Sequence, residues 1–289
     1  MTALTTTSTT ITIASTISTV VLNTQDTNGV KWIVRGFDGW GGVAPTIQVV
    51  QKPRQQGGWA GLSYGQPRYL ALSVMVVAPT PTSLNVALDA LNAAAAFDNS
   101  TLTVAEAAFT RSMTVRRNSD MQVSRVTNMI ANAQFQMVAV DPRKLGTTLT
   151  ATTRLPASTG GLTVPFTIPV TITSTVTSGQ ISFTNPGNES GPVTVRVDGP
   201  CTGPLITHSS STTSKALTFS SNLSLGVGEF LLIDMDKHTA LGNGQATRAG
   251  YITSRGWSAF DPGANTWSFT ATTYDPGALL TVNATPAWK

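Results

Sequence analysis

Residues 34–78 read VRGFDGWGGVAP, TIQVV, QKPRQQGGWAGLSYGQPR and YLALSVMVVA. Two runs in it, Thr46–Val50 and Tyr69–Ala78, have the β-branched and apolar composition of strands. The span between them, Lys52–Gly61, holds Pro53, Gly57, Gly58 and Gly61. It is unsuited to a strand interior, because Pro lacks the N–H and Gly has no side chain to pack. The stretch therefore predicts a long two-stranded arm with limbs at 46–50 and 69–78. Its open, cationic loop holds Trp59 outward, and loops of that kind are kept exposed where something binds them.

Before the arm, Thr5–Val21 alternates Thr/Ser with Ile, Ala and Val and predicts one or two strands, or an extended arm that becomes a strand on pairing, followed by an Asn28-Gly29 turn and a strand over Val30–Val34. After it, Pro79-Thr80-Pro81 ends the arm, Thr82 or Ser83 is placed to cap a helix, and Leu84, Leu88, Leu91 and Ala95 recur at helical spacing. The helix is expected to run about four turns, to near Asp98-Asn99. Strands follow over Leu102–Val104, Arg111–Val115 and Asn132–Val140, the last stopped by Asp141-Pro142. Patterning weakens over 143–165, which places a domain boundary at 145/146. Thr163–Thr177, interrupted by Pro165 and Pro169, suits an edge strand. Beyond it, strands and turns alternate at short intervals with no helical pattern, as in a β-sandwich or jelly-roll. The fold class is mainly β: an N-terminal β-rich domain with one main helix over 1–145, then a β-sandwich over 146–289.

Only 11% of the 289 residues are charged, against about 25% in an average domain. Thr and Ser take their place, leaving a hydroxyl-bearing surface that permits assembly. The net charge of +4 lies entirely in the first half: residues 1–144 hold eleven Lys/Arg and seven Asp/Glu, and the remainder holds seven of each. Arg111, Arg116, Arg117 and Arg125 fall close together there. Nucleic-acid contact is one reading of them; pairing with acids of a neighbouring subunit is the favoured one, since no nucleic-acid motif accompanies them. A single Cys201 excludes an intrachain disulfide and fits folding in a reducing cytosol. No signal peptide and no membrane-spanning run is visible.

No catalytic, cofactor or metal constellation appears. His208 and His238 have no ligand partner at metal spacing, and there is no nucleophile elbow or phosphate loop. Asp234 and Asp236 share a strand face and suit Ca²⁺ or a glycosidase pair, but they serve equally to hold the Lys237–Gly244 loop, which is the favoured reading. Trp257, Phe260, Trp267 and Phe269 form either a sugar platform or, as favoured, a core between sheets. Trp40 and Trp59 differ: glycines surround both and little local core is at hand, so they are the candidate interface anchors, with Lys52, Arg54, Arg111, Arg116 and Arg117 as candidate interface cations.

A family resemblance follows from the order of short motifs. Pro192–Gly199 reads PVTVRVDG, Gly226–Asp234 reads GVGEFLLID, Asn243-Gly244 follows, and Trp257–Trp267 reads WSAFDPGANTW. With Gly36-Phe37-Asp38-Gly39 and Asp141-Pro142 upstream, the chain resembles the distal tail proteins of long-tailed phages over most of its length, and in composition the minor tail proteins of actinobacterial phages. The resemblance implies a ring-forming N-terminal domain and a galectin-like sandwich. It implies six copies as a hub between tail tube and tip, and no enzymatic activity. The implied partners are other copies, the tail tube, tape measure and tail-tip or baseplate hub proteins, and DNA in transit past the arginines. The implied location is the virion tail tip, after synthesis in the host cytoplasm. The alternative function is a carbohydrate-binding module for host-wall glycans.

Overall fold

The computed structural model describes residues 9–159 and 175–289. Most of the expected Thr163–Thr177 strand lies outside them. The chain divides into two compact units, one up to Gly146 and one from Thr147 to Trp288.

The first unit is built from β1 (Thr10–Ala14), β2 (Thr19–Leu22), β3 (Lys31–Asp38), β4 (Pro45–Gln51), β5 (Gly58–Gly65), β6 (Arg68–Val77), α1 (Pro81–Ala94), β7 (Ser100–Ala105), β8 (Thr110–Arg117), β9 (Gln122–Thr127), β10 (Ile130–Ala139) and the short β11 (Lys144–Leu145). The main sheet runs β2-β1-β7-β8-β10-β6-β3, with β9 continuing beside β10 and β11 beside β8. In β1, β6, β7 and β10 buried residues sit at alternate positions, so one face of these strands is buried. Leu70, Leu72, Val74 and Val76 of β6, Ala133, Phe135 and Met137 of β10, and Ile11, Ile13, Leu102 and Val104 join one core with Leu84, Ala87 and Leu91 of α1. The helix starts at Thr80, whose hydroxyl accepts from the Ser83 amide while Ser83 Oγ accepts from the Thr80 amide, with Pro81 at the first helical position. Ser83 is thus the third residue of the helix, and neither it nor Thr82 is the cap. The helix stops at Ala94, short of Asp98: the Ala95 amide closes on Leu91 O and the Ser100 hydroxyl takes Ala94 O.

The arm differs from the sequence expectation. Tyr69–Ala78 is not its returning limb: β6 lies between β3 and β10 in the main sheet. The limb that returns is β5, drawn from the Gly-rich span that looked unfit for a strand, and it pairs with β4 alone. Glycine costs little in an exposed ribbon and here is required. A Cβ on Gly58 would stand 2.7 Å from Val49 Cγ1 and 2.9 Å from Val50 O.

The second unit comprises β12 (Leu149–Arg154), β13 (Ala157–Thr159), β14 (Thr175–Thr177), β15 (Gln180–Asn185), β16 (Val193–Asp198), β17 (Cys201–Ser210), β18 (Ser214–Phe219), β19 (Ser224–Leu225), β20 (Phe230–Asp234), β21 (Thr239–Gly242), β22 (Ala246–Thr247), β23 (Ile252–Arg255), β24 (Gly263–Thr273) and β25 (Leu279–Ala284). One sheet runs β12-β25-β16-β20-β21-β22 and another β15-β24-β17-β18-β23. Val195, Leu231, Ile233 and Val282 of the first share one core with Ile206, Leu217, Trp267 and Phe269 of the second, which makes a β-sandwich.

Leu91 is fully buried, so Leu91→Ala is expected to destabilise the first unit by about 2–5 kcal/mol. Thr80→Ala removes the cap and should cost about 1 kcal/mol. Urea denaturation followed by circular dichroism measures both.

Candidate assembly interface

The arm rises from a polar root. Arg68, only 3% exposed, opens β6 and donates Nη1 to Gly39 O (2.9 Å) and Gly41 O (2.7 Å) and Nε to Pro142 O (3.2 Å). Lys144 donates Nζ to Gly41 O at 3.0 Å and lies 5.1 Å from the centroid of the Trp40 ring. Burial, helped by the charges of Arg68 and Arg111 and opposed by Glu106, brings the Lys144 ammonium down to about 8. The Gly-rich segment before the arm thus supplies carbonyl oxygens to two buried cations, and only a chain able to fold tightly can do so. Gly39 adopts φ +87°, and a Cβ there would fall 2.0 Å from Tyr69 O.

Trp40 belongs to this root. It is half-buried against the N-terminal core, with Phe37 at 5.8 Å between ring centroids. The premise that little core surrounds it does not hold: Phe37 at the end of β3 and Lys144, distant in sequence, supply what its glycine neighbours lack. Trp59 is different. It sits on β5 with 57% of its surface exposed, near Leu62 at 77% and Tyr64 at 65%.

These three would not share a face of a regular strand. The pairing Ile47–Ser63 passes to Val49–Ala60, so β5 carries one extra residue opposite Gln48. That bulge restores the phase. Val50 and Trp59 are direct partners, as are Thr46 and Tyr64, and Leu62 beside the bulge falls on the same side. The result is an apolar stripe of Tyr64, Leu62, Trp59 and Val50. Lys52 closes the tip by donating its amide to Gly57 O at 3.2 Å, and its Nζ lies 5.9 Å from the Trp59 centroid. Arg54, at φ +65°, is exposed at the turn. From Gly39 to Leu88 the chain has no acidic residue.

The other candidate cations are distributed along β8 and β9. Arg116 donates Nε to Asn99 Oδ1 at 2.7 Å, Arg125 donates Nη2 to Asn85 Oδ1 at 2.6 Å, and Arg117 donates Nη1 to Asn92 Oδ1. The three amides are spaced seven residues apart in sequence. Amides are neutral, so these bonds orient the guanidinium groups without cancelling their charge. Arg117 also covers Phe97 at 4.4 Å, and Arg111 covers Phe109 at 4.9 Å. The structure therefore brings together Lys52, Arg54 and Trp59 on the arm. Trp40 lies at its root, and Arg111, Arg116 and Arg117 lie on β8.

In the sandwich the aromatic residues pack inward. Phe260, Trp267 and Phe269 are fully buried, and Trp257 is half-buried and stacks on His238 at 5.0 Å. Asp234 accepts from the amides of Asp236 and Lys237 and from Lys237 Nζ, which closes the β20–β21 turn. Burial acts to raise its pKa, but the Lys237 ion pair and the amides outweigh it and hold it below the usual range. A glycosidase acid needs the opposite shift. Among the described residues no group of three or more metal-ligating side chains occurs.

Several of the motif residues that suggested a family close turns. Asn243 Oδ1 accepts from the Phe230 amide and Glu229 from the Gly226 amide. Asn265, 1% exposed, donates Nδ2 to Asp261 O and Gly263 O and accepts from the Asp261 amide and His208 Nε2. Asp261 accepts from Ser190, Ser210 and Thr213. Those distant hydroxyls carry no pattern, and sequence reasoning missed them. His208 is buried with Nδ1 unpartnered among the described residues. Burial holds its pKa below 6.5 despite Asn265 and Asp261. The unfolded chain therefore takes up a proton that the folded imidazole resists, and stability present above pH 6.5 should be lost as pH falls towards the folded-state value. Thermal melts between pH 7 and 5 should show this loss, and His208→Gln should flatten it.

No protein-family profile matches the chain, and no curated protein matches it. Solved structures do. The SPP1 Dit (gp 19.1) protein, described as a paradigm of the hub adsorption apparatus in phages infecting Gram-positive hosts, aligns with a TM-score of 0.61 at 14% identity, over 88% of this chain and 93% of that one. A chain of the phage P2 baseplate in its activated conformation with Ca aligns at 0.55 and 10% identity, over 96% and 97%. The Sr form of that baseplate gives 0.52 and 9% identity, over 95% and 97%. At these identities the likeness is one of fold, and it spans both units: this chain has the mainly β fold of phage tail-hub and baseplate proteins.

Proposed function

We propose that the chain is a structural, non-enzymatic protein of a phage tail tip. In this reading copies associate head-to-tail, and closure of the rotation gives a ring at the distal end of the tail tube. The observation that carries it is the β4–β5 ribbon, which is exposed on both faces, bears an apolar stripe and is fixed at its root by buried cations. An isolated two-stranded ribbon is marginal in water, and its open edges invite another chain. The match to hub and baseplate proteins over nearly the whole chain supports the same assignment. The ring would be hexameric and would contact the tube, the tape measure protein and the tail-tip hub. Its channel would pass DNA, with Arg116, Arg117 and Arg125 as candidates to line it.

Glycan binding by the sandwich is the weaker reading, because three of the four aromatic residues that would form a sugar platform are buried.

Purified full-length protein is expected to show concentration-dependent oligomers by light scattering and rings by electron microscopy, with or without tube protein. A monomer under all these conditions overturns the reading. Trp59→Ala should weaken self-association about tenfold or more while leaving the circular dichroism spectrum unchanged.

A further inference from the structure

A groove of about 510 Å³ crosses the outer face of the main sheet where β3, β6 and β10 run side by side. Its floor is made of small residues in register: Gly36 pairs with Ser73, and Asp38 with Ala71. Across β6, Ser73 faces Gln134 and Ala71 faces Gln136. Ser119, Asp120 and Gln122 complete the rim. Asp38 and Asp120 are exposed and have no ion-pair partner among the described residues. The groove is thus a narrow slot whose charged side chains are all carboxylates.

The arm tip has the opposite character. Lys52 and Arg54 are its only charged residues, and neither meets an acid among the described residues. The two features are adjacent in the chain yet apart in space. The arm leaves β3 just past Asp38 and rejoins at Arg68, but its tip lies six strand steps from Pro45, roughly 20 Å away. A hydrogen-bonded ribbon does not double back over that distance, so the tip of one copy is available to another copy's groove.

Resting on the self-association reading above, we propose that Lys52 and Arg54 at the arm tip dock into the Asp38–Asp120 groove of a second copy of this chain. Each copy then offers one tip and one groove, a heterologous contact that propagates in one direction. The long aliphatic stems of Lys and Arg lie over Gly36, Ala71 and Ser73, and their charged ends meet the carboxylates at the rim.

Charge reversal tests this in the full chain. Asp38→Lys with Asp120→Lys, or Lys52→Glu with Arg54→Glu, should each weaken self-association about tenfold or more, because each places like charges together. Mixing the two double variants should restore assembly, since every tip then finds an opposite groove. As a second measurement, Gln56→Cys with Ser119→Cys should give a ladder of disulfide-linked oligomers on a non-reducing gel. Cys201 does not interfere: it is buried, and its thiol is raised to about 11. Wild-type protein that assembles while the reversed variants assemble equally well, or a mixture that stays apart, overturns the tip–groove contact and leaves the tail-tip reading standing. A wild-type monomer overturns both.

Discussion

Two cations buried beneath the arm govern what the first unit can present. Arg68 and Lys144 sit at the ends of different strands, and their donors converge on the carbonyls of Gly39, Gly41 and Pro142. Burying a guanidinium is costly unless its donors are met; backbone oxygens meet Nε and Nη1 of Arg68 here without introducing a negative charge, and Nη2 is left without a partner among the described residues. The segment from Gly36 to Gly42 is held in place from below by those bonds. The ribbon that follows inherits a fixed point of departure, although almost nothing packs against its own sides.

The two units solve the same problem with different means. In the first, a curled sheet buries one face against itself and against a single helix, so the core depends on α1 as a wedge. In the second, two sheets share a core and no α-helix intervenes among the described residues. Polar side chains there are spent on turns: Asn243, Glu229, Asn265 and Asp234 each bind backbone amides at a strand end. A chain with few charges has few carboxylates left over for chemistry. The carboxylates whose pKa values shift, Asp234 and Asp261, are shifted downward by the donors that hold them.

Much of this was legible in the residues. The helix was, because Leu84, Leu88 and Leu91 keep their spacing and two prolines bracket the start. The sandwich was, because turn residues punctuate short apolar runs. The arm was only half legible. β6 buries only alternate residues, yet its outer row also carries Ala71, Met75 and Val77, and a run of that kind looks the same whether it ends a hairpin or fills a sheet. β5 was hidden by glycines that usually mark a break and that here make room for Val49 and the Val50 carbonyl. β9 carries six exposed residues with no alternation, so nothing distinguished it from a loop. Trp40 and Trp59 have similar glycine-rich neighbours and opposite fates: Trp40 is covered by nearby Phe37 and by Lys144, far away in sequence, while Trp59 stays 57% exposed. The acidic groove has no local signature, because register alone brings Asp38 and Gln136 to one row.

The extra residue opposite Gln48 has a consequence for how the hairpin tolerates change in length. Because successive side chains point to opposite faces, losing Gly61 would leave Trp59, Leu62 and Tyr64 at strictly alternate positions, with the stripe intact on a regular ladder, whereas losing Ala60 as well would turn Leu62 and Tyr64 away from Trp59. Adding one matched pair between Trp59 and the tip would leave the stripe as it is and lengthen the reach by about 3.4 Å. The bulge therefore gives the hairpin one residue of slack: β5 can lose it and keep the same side sticky, and only a further unpaired loss between Trp59 and Leu62 divides the stripe.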